Sequence, residues 1–389
     1  MRKGWEYKKL GEVCDVINGY AFKSSKYTSQ GTRIIRITNV QKGYVVDNDP
    51  KFYSDEDFKD LFQYSLFEGD LVMSLTGNVG RVGILQKNML PAALNQRVAC
   101  LRVKSKKMQL NYLFHLLNSN LFENAAIQSA RGIAQLNMST EWLKNYIIPL
   151  PPLSTQLAIV SELDKINELI RLKKEQLKDF DNLAQSLFYE MFGDPVENEK
   201  GWEVKKLKDI SREIGDGLHG TPEYSEVDTG CYFINGNNLE NGTIVIKENT
   251  KMVSEKTKTK HYIEMDDFTI LVSINGTLGK VAFYNGENVI LGKSACYIKL
   301  EAYNDKKYIF ELLKSDYFKR CAENECTGTT IRNVSLKSMR NFRCPLPPLP
   351  LQRLFAQRIE QIEREKSEVQ KSIQDLETLL ASRMQYWFE

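Results

Sequence analysis

The sequence predicts an α+β protein in which two globular mixed α/β domains are separated by two long helices that form an antiparallel coiled coil, with approximate two-fold symmetry. The first observation is a repeat: Gly4–Leu10 (GWEYKKL) returns as Gly201–Leu207 (GWEVKKL), and Pro149–Leu153 (PLPPL) returns as Pro345–Leu349. The second is that the offset is nearly constant, at 197 residues for the first pair, 199 for Ser74, Gly77 and Gly80 against Ser273, Gly276 and Gly279, and 196 for the last pair, which indicates a duplicated unit. Two copies cannot build a solenoid, because stacked repeats need at least three units to bury a core.

Four consecutive segments follow from the repeat. We place the first domain at 1–150, the first spacer helix at 151–195, the second domain at 196–346 and the second spacer helix at 347–389. Each domain is about 150 residues long, which is enough for a hydrophobic core of its own.

The domain segments alternate strand and helix signals. Short runs rich in β-branched and aromatic residues are bounded by Gly, Asn and Asp, as strands are. Other stretches carry apolar residues at helical spacing. The clearest strand runs are Thr32–Ile37, Asp70–Leu75, Cys231–Ile234 and Thr269–Ile274, and the clearest helical stretches are Asn111–Ala125 and Asp305–Cys321.

Each domain is followed by a long helix. The first has Ser154 as its predicted N-cap, contains no Gly or Pro before Phe192, and ends at Gly193 and Pro195. Apolar residues recur along both helices at alternating spacings of three and four, which is the pattern of a coiled-coil seam. About 35 residues at 1.5 Å each give a helix of about 50 Å.

The two seams match in length and register, which favours packing of the helices against each other in opposite directions. The alternatives are that each helix packs on its own domain or drives homodimerisation. We assign the helix–helix interface to Leu163, Ile166, Ile170, Leu177 and Phe180 of the first helix and to Ile359, Ile362, Val369, Ile373 and Leu376 of the second.

The composition is that of a globular protein, with 42% hydrophobic and 26% charged residues. The sequence has no apolar run long enough to span a membrane, and its N-terminus lacks the apolar core of a signal peptide. Seven cysteines occur without a C-x-x-C pair, which favours free thiols in a reducing compartment over a zinc site. We therefore expect a cytoplasmic protein.

The net charge of +3 is unevenly distributed. Residues 1–150 hold 20 Lys and Arg against 13 Asp and Glu, whereas residues 196–344 hold 22 of each. A basic first domain is compatible with a polyanionic partner, but the neutral second domain adds nothing to that inference.

The sequence contains few candidates for catalysis. Its three histidines, His115, His219 and His261, do not occupy equivalent positions in the two halves, although a duplicated enzyme would repeat its acid, base or nucleophile. The glycine-rich runs Gly77–Gly83 and Gly276–Val281 lack the full phosphate-loop pattern, so tight turns with positive φ are the better interpretation. We expect no catalytic residues, no metal site and no cofactor bound by this chain.

Binding is the remaining class of function. Arg, Lys, Asn and Gln can form paired hydrogen bonds with base edges, although any one of them is more typical of a solvated surface or a turn. In the first domain we predict DNA contacts by Lys23, Arg36, Asn39, Asn78, Arg81, Asn95, Gln96, Arg97, Arg131 and Gln135. In the second domain we predict them for Asn235, Asn237, Asn238, Asn275, Lys280, Lys293, Thr329, Thr330, Arg332 and Asn333.

Several motifs follow one another in a fixed order along the chain. They are the repeated opening Gly-Trp-Glu-x-Lys-Lys-Leu, Asn18–Ser25 (NGYAFKSS), the Ser-x-x-Gly-x-x-Gly-Arg/Lys-Val runs that end at Val82 and Val281, and Pro-Leu-Pro-Pro-Leu-x-x-Gln, which ends at Gln156 and Gln352. Each motif is weak alone, but their order is repeated twice over essentially the whole chain. In these motifs the chain resembles the specificity (S) subunit of a type I restriction–modification system.

The resemblance implies two target-recognition domains, each of which reads one half of a split DNA site, with the helices as spacer. Because the domains differ in sequence, the target would be asymmetric. The implied partners are double-stranded DNA, two adenine-methylating modification subunits and a restriction subunit that translocates and cleaves DNA; no membrane partner is expected. S-adenosylmethionine, ATP and Mg²⁺ would belong to those partner subunits.

Two other functions stay open at this point. One is a coiled-coil scaffold that joins proteins and never touches DNA. The other is a self-sufficient nuclease or methyltransferase. Salt-dependent binding to duplex DNA separates the first from DNA recognition, because phosphate neutralisation releases counterions. Turnover by the purified chain would identify the second.

Overall fold

The chain divides into two compact units in this computed structural model. Unit 1 contains residues 1–174 and 370–389, and unit 2 contains residues 175–369. Each unit therefore joins one domain to a segment of both long helices. No helix within the described ranges is long and apolar enough to cross a membrane. The structure describes residues 2, 4–130, 136–325 and 333–388.

Unit 1 is built from short strands and helices. Its strands are β1 (Glu6–Lys9), β2 (Cys14–Asn18), β3 (Thr32–Ile35), β4 (Val40–Gln41), β5 (Tyr44–Val45), β6 (Phe52–Tyr53), β7 (Ser65–Leu66), β8 (Leu71–Ser74), β9 (Val82–Ile84), β10 (Ala92–Leu94), β11 (Val98–Val103) and β12 (Ile147–Leu150). Its helices are α1 (Leu10–Val13), α2 (Asp55–Phe58), α3 (Leu110–Leu117), α4 (Asn120–Ser129) and α5 (Thr140–Asn145), followed by the long α6 (Leu153–Phe192), which continues into unit 2.

Unit 2 repeats this arrangement with variations. Its strands are β13 (Glu203–Lys206), β14 (Ser211–Asp216), β15 (Tyr232–Ile234), β16 (Leu239–Glu240), β17 (Thr243–Ile244), β18 (Thr269–Ser273), β19 (Val281–Phe283), β20 (Val289–Leu291), β21 (Ala295–Leu300) and β22 (Arg343–Leu346). Its helices are α7 (Glu255–His261), α8 (Lys306–Lys314), α9 (Asp316–Asn324), α10 (Leu336–Asn341) and the long α11 (Leu349–Phe388), whose C-terminal part belongs to unit 1.

The central sheet has the same antiparallel order in both domains. It runs β2-β11-β8-β9 in unit 1 and β14-β21-β18-β19 in unit 2. Successive residues of β8 face opposite sides, so that Leu71 and Met73 enter one apolar cluster and Val72 enters another. Burial on both faces explains why these strands are continuous hydrophobic runs in the sequence.

The repeated motifs lie where each domain begins and ends. The Gly-Trp-Glu segment leads into β1, which pairs antiparallel with β12, the strand of the Pro-Leu-Pro motif. In unit 2, β13 pairs with β22 in the same way. Tyr112 Oη donates to the carbonyl of Pro149 (3.1 Å), and Tyr308 Oη donates to that of Pro345 (2.6 Å). The motifs recur because in each domain they form the same two-stranded sheet, which joins the start of the domain to its end.

The long helices pack side by side in opposite directions within each unit. In unit 1, Glu162 on α6 pairs with Arg383 on α11, and Lys174 pairs with Glu377 (2.8 Å). In unit 2, Lys366 Nζ on α11 lies 2.8 Å from Asp181 Oδ1 on α6. Within unit 1, residue numbers fall along α11 as they rise along α6. The predicted fold class, two mixed α/β domains with two long antiparallel helices, is confirmed.

Most of the predicted helix-interface residues are buried. Leu177, Phe180 and Leu376 are half-buried. Ile359, Ile362 and the half-buried Phe180 belong to one apolar cluster of unit 2, whereas Leu163 belongs to a cluster of unit 1. The buried members are Leu163, Ile166, Ile170, Ile359, Ile362, Val369 and Ile373.

Two local predictions need adjustment. Ser154 is not an N-cap, because α6 begins at Leu153 and the carbonyl of Pro152 accepts hydrogen bonds from the first turn. The stretches that carry helical periodicity each contain two helices, divided where Ser119 or Ser315 caps the second one. The predicted end of the first long helix is confirmed, since α6 ends at Phe192 and Gly193 has φ +76°.

Candidate DNA interface

The Ser-x-x-Gly-x-x-Gly run forms the turn between the central strands β8 and β9. Ser74 Oγ donates to the carbonyl of Asn78 and accepts from the amide of Arg81 (3.1 Å). Gly77 and Gly80 have φ of +71° and +82°, a region that glycine enters without steric cost. The predicted positive-φ turn is therefore confirmed, and it presents Asn78 and Arg81 at one end of the sheet.

Unit 2 repeats this turn between β18 and β19. Ser273 Oγ donates to the carbonyl of Thr277 (2.6 Å) and accepts from the amide of Lys280 (2.9 Å). Gly276 and Gly279 have φ of +77° and +73°. The backbone is thus the same in both domains, while the side chains it presents differ.

A second repeated turn lies beside each glycine turn. Asn39 Oδ1 accepts from the amide of Arg36 (2.9 Å), and its Nδ2 donates to the carbonyl of Val46 (2.9 Å). Asn238 makes the equivalent bonds with the amide of Asn235 (3.0 Å) and the carbonyl of Val245 (2.9 Å).

Asn39 and Asn238 are 3% and 8% exposed. Their amide groups hold the turn together, which leaves them badly placed for the base contacts that we predicted. Composition and spacing cannot distinguish such a buried asparagine from an exposed one.

The two turns of unit 1 enclose a polar cleft of about 260 Å³. Its lining includes Thr38, Gln41, Thr76, Asn78 and Arg81. Arg81 Nη1 donates to Gln41 Oε1 (2.8 Å). Thr76 Oγ1 is buried and has no hydrogen-bond partner among the described residues.

A larger cleft of about 420 Å³ lies beside the same pair of turns in unit 2. Two of its lining residues, Asn237 and Lys280, correspond to Thr38 and Arg81 of the unit 1 cleft. Three lysines, Lys247, Lys251 and Lys280, line it together with Asn235 and Asn237. Lys251 Nζ also lies 4.7 Å from the ring centroid of Tyr224, a cation–π distance. Cations, amides and an aromatic ring together form a surface that suits nucleic acid.

A carboxylate lies among the lysines of unit 2. Glu240 Oε1 is 2.7 Å from Lys247 Nζ and 3.9 Å from Lys280 Nζ. The hydrogen bond from Lys247 lowers the pKa of Glu240 below its ordinary value. Glu240 is therefore ionised at neutral pH and offsets part of the positive charge at this cleft.

The other predicted contact residues lie in several environments. Arg36 donates to the carbonyl (2.5 Å) and carboxylate (3.1 Å) of Asp49, while its Nε is buried without a partner in the described part of the chain. Asn95 is buried, and its Oδ1 accepts from the amide of Arg97 (3.3 Å). Asn275 forms an isolated backbone bridge with Asn333. Exposed residues are Lys23, Gln96, Arg97, Lys293 and Asn333.

Some predicted residues fall outside the described ranges, and DNA contact by any member of the set stays a prediction. The residues outside the described ranges are Arg131, Gln135, Thr329, Thr330 and Arg332.

Sequence reasoning missed the residues that surround these predicted contacts. Gln41, Glu240, Lys247 and Lys251 belong to the clefts or border them, but none was proposed. Alignment of the two halves at an offset of 199 residues matches Gln41 with Glu240, just as it matches Arg81 with Lys280.

Duplicated domains that each carry a polar cleft beside the same pair of turns are typical of a protein that binds its target through two domains. Comparison with known families identifies which one. The family model described as "Type I restriction modification DNA specificity domain" matches residues 2–179 and 199–378. The chain belongs to this family, as the sequence motifs predicted.

Curated relatives are similar over different lengths. The specificity subunit of the type I restriction enzyme MjaVIII from Methanocaldococcus jannaschii is 32% identical over 187 residues, which cover 47% of this chain and 44% of that protein. The chain thus spans less than half of that relative. The putative MjaX specificity subunit of the same organism is 23% identical, with 97% of this chain and 92% of that protein covered.

Solved structures support the fold. A chain from a structure described as showing complex assembly and conformational transition of the type I R-M system has a TM-score of 0.62 and 18% identity. The match covers 100% of this chain and 98% of that chain. At this identity the likeness concerns the fold alone.

Proposed function

We propose that this chain is the non-catalytic DNA-recognition subunit of a type I restriction–modification complex, and that its two domains read the two halves of an asymmetric DNA site. The carrying observation is the repeated pair of turns, which borders a polar cleft with unlike side chains in each domain. A shared turn backbone with different polar groups is what two different half-sites would need, because base-edge contacts specify sequence.

Two modification subunits and one restriction subunit are the proposed protein partners. Leucines that are exposed on the long helices offer apolar contacts to such partners. In unit 1, Leu169, Leu172 and Leu379 are 48%, 46% and 46% exposed. In unit 2, Leu183 and Leu354 are 50% and 42% exposed. S-adenosylmethionine, ATP and Mg²⁺ would be bound by those subunits, and adenine methylation would occur there.

The test is co-expression with the modification subunit, followed by mapping of methylated adenines. We expect methylation confined to one bipartite sequence with unlike halves. Binding of the same complex to duplex DNA should weaken steeply as salt rises, because lysines and arginines displace counterions from phosphates. Binding that is flat with salt, or no binding at all, would contradict DNA recognition.

A matched pair of variants locates the binding surface. Lys251→Ala with Lys280→Ala removes two cations from the unit 2 cleft and should reduce DNA affinity. Lys256→Ala with Lys260→Ala removes the same charge from exposed positions on α7. If the second double variant lowers affinity as much as the first, the cleft is not the recognition surface.

A further inference from the structure

Two residue pairs of unlike chemistry occupy the same place in the two domains. Gln41 and Arg81 form the pair of unit 1, and Glu240 and Lys280 form the pair of unit 2. Each residue stands 199 positions from its counterpart. Gln41 and Glu240 end β4 and β16, whereas Arg81 and Lys280 directly precede β9 and β19. The pairs therefore sit at equivalent points of the two domains. Gln41 and Arg81 both line the unit 1 cleft, whereas in unit 2 Lys280 lines the cleft and Glu240 contacts its lysines.

The unit 1 pair presents a fixed cation. Gln41 Nε2 donates to the carbonyl of Thr38 (3.1 Å), which turns the amide oxygen toward Arg81 Nη1 at 2.8 Å. The guanidinium carries five N–H groups, and in the described part of the chain one of its nitrogens is bonded to Gln41. A guanidinium in a fixed orientation is the donor that pairs with O6 and N7 of guanine.

The unit 2 pair presents an acceptor instead. Glu240 is 37% exposed at its side chain, and the lysines on both sides, Lys247 and Lys280, line the cleft. A carboxylate repels phosphates and so weakens binding to any DNA sequence. The contact that it favours is with a base amino group, and among bases its usual partner is N4 of cytosine.

We propose that these are equivalent specificity-determining pairs, and that Gln41–Arg81 selects guanine while Glu240–Lys280 selects cytosine at one position of the respective half-site. Arg81 and Glu240 contact the base, and Gln41 acts as a positioning residue for Arg81. The inference rests on the proposed DNA-recognition function and specifies which residues carry it.

The experiment is selection of duplexes from a randomised library by the complex of this chain with its modification subunits. Glu240→Gln should lower the preference for cytosine at one position about tenfold or more, in favour of adenine, which glutamine pairs with. The other half-site should be unchanged. Glu248→Gln is the matched control, because it removes the same charge from an exposed position beside Lys247 and should leave every base preference unchanged.

The outcomes are distinguishable. If Glu240→Gln and Glu248→Gln both strengthen binding to all sequences equally, Glu240 acts only through its charge and the proposal is wrong. If Glu240→Gln does not fold, Gln41→Glu supplies the test in unit 1, where the guanine preference should fall; an unchanged preference overturns the proposal. If the unmodified complex selects no sequence, DNA recognition itself fails and the inference fails with it.

Discussion

Single buried glutamines join three parts of each domain. Gln156 is fully buried, and its Oε1 accepts from the amide of Gln109 (2.8 Å) at the start of α3. Its Nε2 donates to the carbonyls of Lys107 and Pro151, both at 2.8 Å. Gln352 bonds in the same way to the amide of Asp305 (3.0 Å) and the carbonyl of Pro347 (2.8 Å). The final Gln of the repeated motif therefore fixes the long helix to its domain.

Gln156→Met tests this role with little change in volume. The variant leaves buried backbone groups without partners, at about 1–3 kcal/mol for each group that stays unpaired, so we expect a loss of about 2–4 kcal/mol. Gln352→Met should cost somewhat less, since fewer bonds are lost. Urea unfolding measures both, and Gln370→Met on an exposed helix position should change stability by less than about 0.5 kcal/mol. Equal losses for Gln156→Met and Gln370→Met would contradict the role.

A buried histidine gives unit 1 a pH dependence. His115 is 5% exposed, and its Nε2 lies 2.6 Å from Asp164 Oδ1. Burial lowers the pKa of His115 below its ordinary value of 6.5, although the bond to Asp164 acts in the opposite direction. The unfolded chain therefore takes up this proton first as pH falls, and the histidine's contribution to stability is lost below about pH 6.5.

His115→Gln removes the titrating ring while keeping a donor for Asp164. We expect the stability difference between the native chain and this variant to shrink between pH 7.5 and 5.5. Denaturant unfolding at several pH values provides the measurement. A difference that grows on acidification would mean that the charged pair with Asp164 outweighs burial.

At the scale of elements, the helices illustrate what pattern alone can predict. Three-four spacing identified α6 and α11, because a seam that must stay buried along a helix leaves a period in the sequence. The pairing of β1 with β12 left no such trace, since it joins segments about 140 residues apart in sequence and depends on tertiary packing. Likewise, the Gln41–Arg81 contact brings together two turns that sequence reasoning treated separately.

Substitution in the helix seam should destabilise the unit that contains it. Ile362 is 7% exposed and belongs to the apolar cluster of unit 2 with Phe188 and Phe355. Ile362→Ala removes buried methyl groups and should cost about 2–4 kcal/mol. Leu169→Ala, at a position 48% exposed, should cost less than about 1 kcal/mol. Thermal and urea unfolding compare them, and similar losses would argue against a buried seam.

At the scale of the whole molecule, the two domains differ in charge more than in fold. Residues 1–150 carry seven more basic than acidic residues, whereas residues 196–344 are balanced. The central sheets have the same strand order nonetheless. Charge affects how strongly a domain attracts phosphates, while the clefts affect which bases it accepts. We therefore expect the first domain to contribute more of the electrostatic affinity for DNA than the second domain.

This division predicts an unequal salt dependence for the two half-sites. We expect a duplex that carries only the half-site of the first domain to lose affinity more steeply between 50 and 200 mM salt than a duplex with only the other half-site, because more phosphates are neutralised. Both should bind more weakly than the full site, where the second contact is intramolecular. Titration of the assembled complex with each duplex measures the slopes.

Charge-reversal variants identify which residues cause the salt dependence of DNA binding. Arg81→Glu with Arg97→Glu should weaken binding to the first half-site and leave the second almost unchanged. The slope for the first half-site should fall by about one, because Arg81 is assigned to a base and only Arg97 is left to neutralise a phosphate. Glu168→Lys with Glu175→Lys alters two exposed positions on α6 and should affect both half-sites less. If the helix variant has the larger effect, the basic first domain is not where the phosphates bind, and its excess charge serves another partner.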